Sequence, residues 1–102
     1  MSIKSAVASD GTSLTIYIDG RFDASSLEEF RRSYEDIAVD SVKQYIVDLQ
    51  ETIHLDSSAL GMLLVLRDFA GGDDSDIVVA NCSAEVKKIF AISSFERLFT
   101  IQ

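Results

Sequence analysis

Proline is absent from this chain of 102 residues, and cysteine and histidine occur once each. The missing proline implies nothing about function. The lone cysteine, Cys82, cannot close an internal disulfide. No Lys, Arg or His flanks it to favour a thiolate, so it reads as a small buried hydrophobe in a reducing compartment. A single histidine, His54, excludes a histidine-based metal cluster. It leaves a Ser-His-Asp arrangement only one form, with His54 acting on Ser57 or Ser58 from a loop that does not fix its direction. The phosphate-loop, dinucleotide-binding and nucleophile-elbow glycine patterns are missing as well. Long apolar runs are also lacking. The longest, Met62 to Leu66, is far too short to span a bilayer. No apolar stretch follows the N-terminal Met1-Ser2-Ile3-Lys4, so no secretory leader is expected.

Positive charge is in short supply too. Nine Lys and Arg face seventeen Asp and Glu, a formal net charge of −8. Such a surface repels phosphate backbones and anionic lipid, which argues against direct nucleic-acid or membrane binding. The acidic run Asp73-Asp74-Asp76 lacks the glycine and terminal glutamate of a calcium loop and reads as an exposed turn. The expectation is a soluble cytoplasmic domain spanning residues 1–102, with no cofactor and no metal. At 47% hydrophobic residues it has enough apolar side chains for one core.

Periodicity divides the chain into elements. Ile3 to Val7 predicts a short strand, and Asp10-Gly11 a tight hairpin turn. Leu14, Ile16 and Ile18 alternate with polar residues and predict a second strand. Ser25 with Glu28, and Ser26 with Glu29, match helix capping boxes. Leu27, Phe30, Tyr34, Ile37 and Ala38 then recur at helical spacing. Tyr45 to Leu49 predicts a buried strand. A helix follows from Asp56 to about Ala70, stopped by Gly71-Gly72. Ile77 to Ala80 predicts a strand, and Ser83 caps a helix facing inward through Val86, Ile89 and Phe90. Leu98 to Ile101 completes the order β-β-α-β-α-β-α-β. This is an α/β fold with a mixed, mostly parallel sheet of about five strands and three helices.

The second helix carries the most information. Asp56 is a good N-cap, which places Ser57 and Ser58 at the positive end of the helix dipole. Capping alone explains these three residues. The helix body asks for more, because positions 59 to 66 hold no polar side chain. A helix apolar on every side is buried or shows a face to a partner. Gly61 costs about 1 kcal/mol relative to alanine in a helix interior, and it lets another backbone approach. Leu60, Leu63 and Leu64 are assigned to the core. Met62 and Val65 are candidates for a partner-facing patch, with the core or its edge as the alternative.

Leu55-Asp56-Ser57-Ser58-Ala59-Leu60-Gly61 resembles the Asp-Ser-Ser/Thr-Gly-Leu-Gly motif of STAS-domain anti-sigma factor antagonists. Gly20-Arg21-Phe22-Asp23 resembles that family's strand ending in Gly-x-apolar-Asp. Ala84 to Phe90 with Ser94-Phe95 resembles its third helix and the turn beyond. The landmarks span essentially the whole chain, in order. Ala59 departs from the motif's glycine, and many members carry one more C-terminal helix than the elements read here.

The resemblance implies a partner-switching phosphoprotein rather than an enzyme. The serine directly after the aspartate, Ser57, is the implied phosphoacceptor, with Ser58 as the alternative. Asp23 and Asp56 match acidic residues near that site, Asp56 fixing the helix start and Asp23 shaping the docking surface. The implied partners are an anti-sigma factor that is often also a serine kinase, and a metal-dependent serine phosphatase. Other readings are a STAS module serving a different regulatory or transport complex without phosphorylation, a small serine hydrolase using Ser57, and a receiver-type phosphoacceptor domain.

Overall fold

The computed structural model describes residues 2–37 and 41–102. Two strands open the chain, β1 (Ser2–Val7) and β2 (Ser13–Phe22), followed by a 3-10 turn (Ala24–Ser26) and helix α1 (Leu27–Glu35). Next come β3 (Gln44–Asp48), β4 (Thr52–Leu55) and α2 (Ser57–Phe69). After another 3-10 turn (Gly72–Asp74), the chain forms β5 (Ile77–Ala80), α3 (Ala84–Ile92), a third 3-10 turn (Phe95–Arg97) and β6 (Thr100–Ile101). The strands form one six-stranded sheet in the order β1-β2-β3-β5-β6, with β4 also paired to β2. Only the β1–β2 pair is antiparallel.

Strand alternation, expected for β2 and present also in β3 and β5, where a buried strand was expected, decides which face is covered. Leu14, Ile16, Ile18, Tyr45, Val47, Ile77 and Val79 point to one side and are buried. They join Phe30, Tyr34, Leu63, Leu66, Val86 and Phe90 from the helices in one cluster. An aromatic row ties α1 to both neighbours, with ring centroids 5.1 Å apart for Phe22–Phe30, 5.6 Å for Phe30–Tyr34 and 4.9 Å for Tyr34–Phe69.

Several boundaries differ from expectation, each for a local reason. His54 lies in a strand, not a loop. Strand β2 runs on past its pairing with β1, and its last three residues pair with β4 in a register that shifts between Gly20 (φ +99°) and Arg21, where Ile53 of β4 is skipped. The turn after β3 feeds the chain back against that segment through Gly20 N–H to the Glu51 carbonyl at 3.0 Å and Thr52 Oγ1 to the Ile18 carbonyl at 2.7 Å. β4 is the result. The hairpin loop is longer than a two-residue turn: Gly11 has φ +75° while Asp10 does not, and the Asp10 carboxylate accepts from the Thr12 amide and hydroxyl. Helix α1 stops at Glu35. Ile37 is exposed, and Ala38 lies outside the described residues. The last strand shrinks to two residues because Phe95 to Arg97 first makes a 3-10 turn that buries Phe95 and Phe99. The Asp73-Asp74 segment is an exposed 3-10 turn, with Asp73 held by Arg67 at 2.8 Å.

Candidate functional site at the start of the second helix

Strand β4 delivers the chain to Asp56, whose extended backbone (φ −126°, ψ −173°) ends the strand and starts α2. Its Oδ1 accepts from the Ser58 amide at 3.0 Å and the Ala59 amide at 3.3 Å. The first helix amides lack a full set of intrahelical acceptors, so the carboxylate takes the Ser58 amide and shares the Ala59 amide with the Asp56 carbonyl at 3.1 Å. The expected N-cap role of Asp56 is the one observed. Ser57 and Ser58 are the first two helical residues, and both are exposed.

A second aspartate performs the same task nearby. Asp23 ends β2 and caps the 3-10 turn, accepting from the Ser25 amide at 3.0 Å and from the Ser25 hydroxyl. Ser26 reciprocates, its hydroxyl accepting from the Asp23 amide at 3.3 Å. The capping box at this helix entry is therefore Asp23 with Ser26, not the serine–glutamate pairs expected from spacing. Hydrogen bonding from the Ser25 hydroxyl holds the Asp23 carboxyl below its ordinary value of 3.8. Desolvation opposes this shift, while the Ser25 amide and Arg21 reinforce it.

Between the two capped starts lies a shallow groove of about 380 Å³, lined by Ala24, Leu27, Ser58, Gly61, Met62 and Val65. Ser58, Gly61, Met62 and Val65 follow the spacing of three and four that puts residues on one helix face. Val65 is 56% exposed and Leu27 54% exposed. Of the two residues read as patch candidates, Val65 is exposed at the groove, whereas Met62 is 5% exposed, belongs to the core and lines the groove. Leu64, assigned to the core from sequence, is exposed at 41%, and Phe69 at 46%. Leu60 is half-buried against the core. Nothing lies within 4 Å of a Cβ built on Gly61, so the space above it is open.

The sequence reading missed Ala24, Leu27, Leu64 and Phe69 as surface apolar residues. Leu27 was hidden by its helical spacing with Phe30 and Tyr34, which makes it look like core. His54 sits opposite Arg21 in the β2–β4 register, and among the described residues no hydrogen bond joins it to Ser57 or Ser58. Cys82 is half-buried and donates weakly to the Val79 carbonyl at 3.6 Å; burial pushes its thiol up from the usual value. Among the described residues no cluster of three or more His, Cys, Asp or Glu is arranged to hold a metal, and no helix is long and apolar enough to cross a membrane.

The STAS domain family model matches residues 4–102. The chain belongs to the STAS-domain family. It is 54% identical over 101 residues to a STAS-domain containing protein of Pseudomonas aeruginosa (strain UCBPP-PA14), covering 99% of both chains. Among solved structures, the fold matches the anti-sigma factor antagonist SpoIIAA in its unphosphorylated form and the Bacillus cell fate determinant SpoIIAA in its phosphorylated form. For the unphosphorylated form the TM-score is 0.74 at 17% identity, over 99% of this chain and 87% of that one. For the phosphorylated form the TM-score is 0.74 at 18% identity, over 99% and 91%. A sulfate transporter family protein from Wolinella succinogenes matches with a TM-score of 0.72 at 12% identity, over 93% and 80%. The fold is thus shared with an anti-sigma factor antagonist and with a sulfate transporter family protein.

Proposed function

We propose that this STAS domain is an anti-sigma factor antagonist switched by phosphorylation of Ser57. In this reading the unphosphorylated chain binds an anti-sigma factor that is also a serine kinase, which frees the sigma factor. Phosphorylation ends the binding, and a metal-dependent phosphatase restores it. The chain itself is a binding module and a substrate, not an enzyme, and acts in the cytoplasm. The observation that carries the reading is the placement of exposed Ser57 and Ser58 at the capped start of α2, beside an apolar groove.

The physical logic is local. A phosphate adds about −1.5 to −2 charges and three acceptor oxygens. Helix dipole and amides tolerate an anion at an N-terminus, so the fold survives. Docking does not, because closing a partner over Leu27, Gly61, Leu64 and Val65 desolvates a dianion beside Asp56. A loss of about 3 kcal/mol weakens binding by more than about 100-fold. Ser57 is preferred because it directly follows Asp56, as in the family motif. Ser58 is the residue that lines the groove, and it is the alternative acceptor.

The test compares affinity-tagged wild type, Ser57→Ala and Ser57→Asp in the native cell, with fragment mass spectrometry of the wild type. The expected result is phosphate on Ser57, with one kinase-type partner retained by wild type and Ser57→Ala and lost by Ser57→Asp. Equal capture by all three forms and an unmodified Ser57 would favour a second reading, a STAS module docked in a larger assembly without phosphorylation. The fold shared with a sulfate transporter family protein is the observation that favours it.

A further inference from the structure

The helices cover one face of the sheet, and the other carries no buried residue. Parallel sheets are ordinarily covered on both faces, yet here the parallel set β2, β3, β5 and β6 leaves one open. The strand register builds this face row by row. Ala6, Thr15, Ile46, Val78 and Thr100 form one row across five strands. In the next row exposed Lys4 sits beside Tyr17, Tyr17 beside Asp48, and Asp48 beside Ala80, so one lysine of the chain flanks the three carboxylates. Ile46, Val78 and Ala80 are half-buried, and Tyr17 is 46% exposed. At one end, Tyr17, Asp19, Asp48, Gln50 and Glu51 line a cavity of about 230 Å³. Asp48 is oriented there by the Gln50 amide on one oxygen and the Asn81 side-chain amide on the other, at 2.9 and 3.0 Å.

We propose that this open sheet face is a second docking surface, occupied by a basic amphipathic helix of a partner protein. It is independent of the groove beside α2. Ile46, Val78 and Ala80, with the methyl groups of Thr15 and Thr100, supply the contact that a helix layer makes on a sheet. The ring of Tyr17 with the carboxylates of Asp19, Asp48 and Glu51 receives a Lys or Arg side chain at one end. Charge selects this occupant over others. A second copy of the chain would bring the same carboxylates face to face, on two bodies of net charge −8 each. Nucleic acid and anionic lipid are repelled by the same field.

The experiment uses the intact chain, isotope-labelled for NMR, titrated with a synthetic amphipathic Leu/Lys helical peptide and with its Leu/Glu counterpart. The expected result is saturable binding of the Leu/Lys peptide alone, with amide shifts centred on Thr15, Tyr17, Ile46 and Val78. Asp19→Lys/Glu51→Lys weakens it about tenfold, whereas Asp74→Lys/Glu85→Lys, the same charge change elsewhere, leaves it within about threefold. Tyr17→Ala gives a second measure without altering charge, and weakens binding too. Equal weakening by both charge pairs would overturn the proposal. So would shifts centred on Leu27 and Gly61, binding of the Leu/Glu peptide, or self-association through this face.

Discussion

Replacing Gly61 with alanine separates what the helix needs from what the groove needs. Glycine within a helix is less favourable than alanine by about 0.8–1.0 kcal/mol, chiefly through backbone entropy. That gain is lost only if the new methyl group collides with something, and nothing lies within 4 Å of its position. Gly61→Ala is therefore expected to stabilise the isolated chain by about 1 kcal/mol, which raises Tm by roughly 4–8 °C in a domain of this length. Thermal unfolding followed by circular dichroism reads the shift directly. The same methyl group stands in the groove, so partner affinity falls as Tm rises, and Gly61→Phe abolishes binding while keeping the fold. A lower Tm for Gly61→Ala would refute the reasoning, because it would mean that the chain already fills the space above Gly61. A higher Tm with unchanged partner affinity would refute the docking role of that space.

Asp56→Ala removes an acceptor for two amides and costs about 1 kcal/mol, with faster hydrogen exchange in the first turn of α2 as the readout. Leu63→Ala empties a fully buried site and costs about 2–5 kcal/mol, whereas exposed Val65→Ala stays within about 0.5 kcal/mol in urea unfolding yet weakens partner capture. The Asp23 carboxyl is held below its ordinary 3.8, so its contribution is present above the unfolded value and is lost as pH falls through the folded one. Stability of the wild type should therefore drop on acidification below about pH 4 more steeply than that of Asp23→Asn, measured by denaturant midpoints across the acid range.

The elements with strong patterns were legible. Alternation in Leu14–Ile18 placed one strand and its buried face, the apolar runs Tyr45–Leu49 and Ile77–Ala80 placed two more strands but hid that Ile46 and Val78 are only half-buried, and Asp56 and Ser83 marked the helix starts they do cap. Strand β4 was not legible, because a four-residue strand in which exposed Ile53 is skipped by the pairing carries no alternating pattern. The capping boxes misled because Asp23 and Ser26 also stand three apart, and the end of β2 forces a 3-10 turn before α1 begins. On α2, apolar residues all round hide which side faces the core, so Leu64 reads as core although it is 41% exposed, and Met62 stays open between patch and core. The stripe Ser58, Gly61, Met62 and Val65 was present in the spacing. What it lacked was the opposing wall, Ala24 and Leu27, which only the tertiary fold brings up.

The central claim is that charge at Ser57 ends docking while leaving the fold alone. The most direct measurement is the affinity of the captured partner for the chain with and without phosphate on Ser57, taken alongside the thermal transition of each form. The account predicts binding weaker by about 100-fold in the phosphorylated form, with the two transitions within a few degrees. Equal affinities, or a loss of binding that appears only because the phosphorylated chain unfolds, would contradict it.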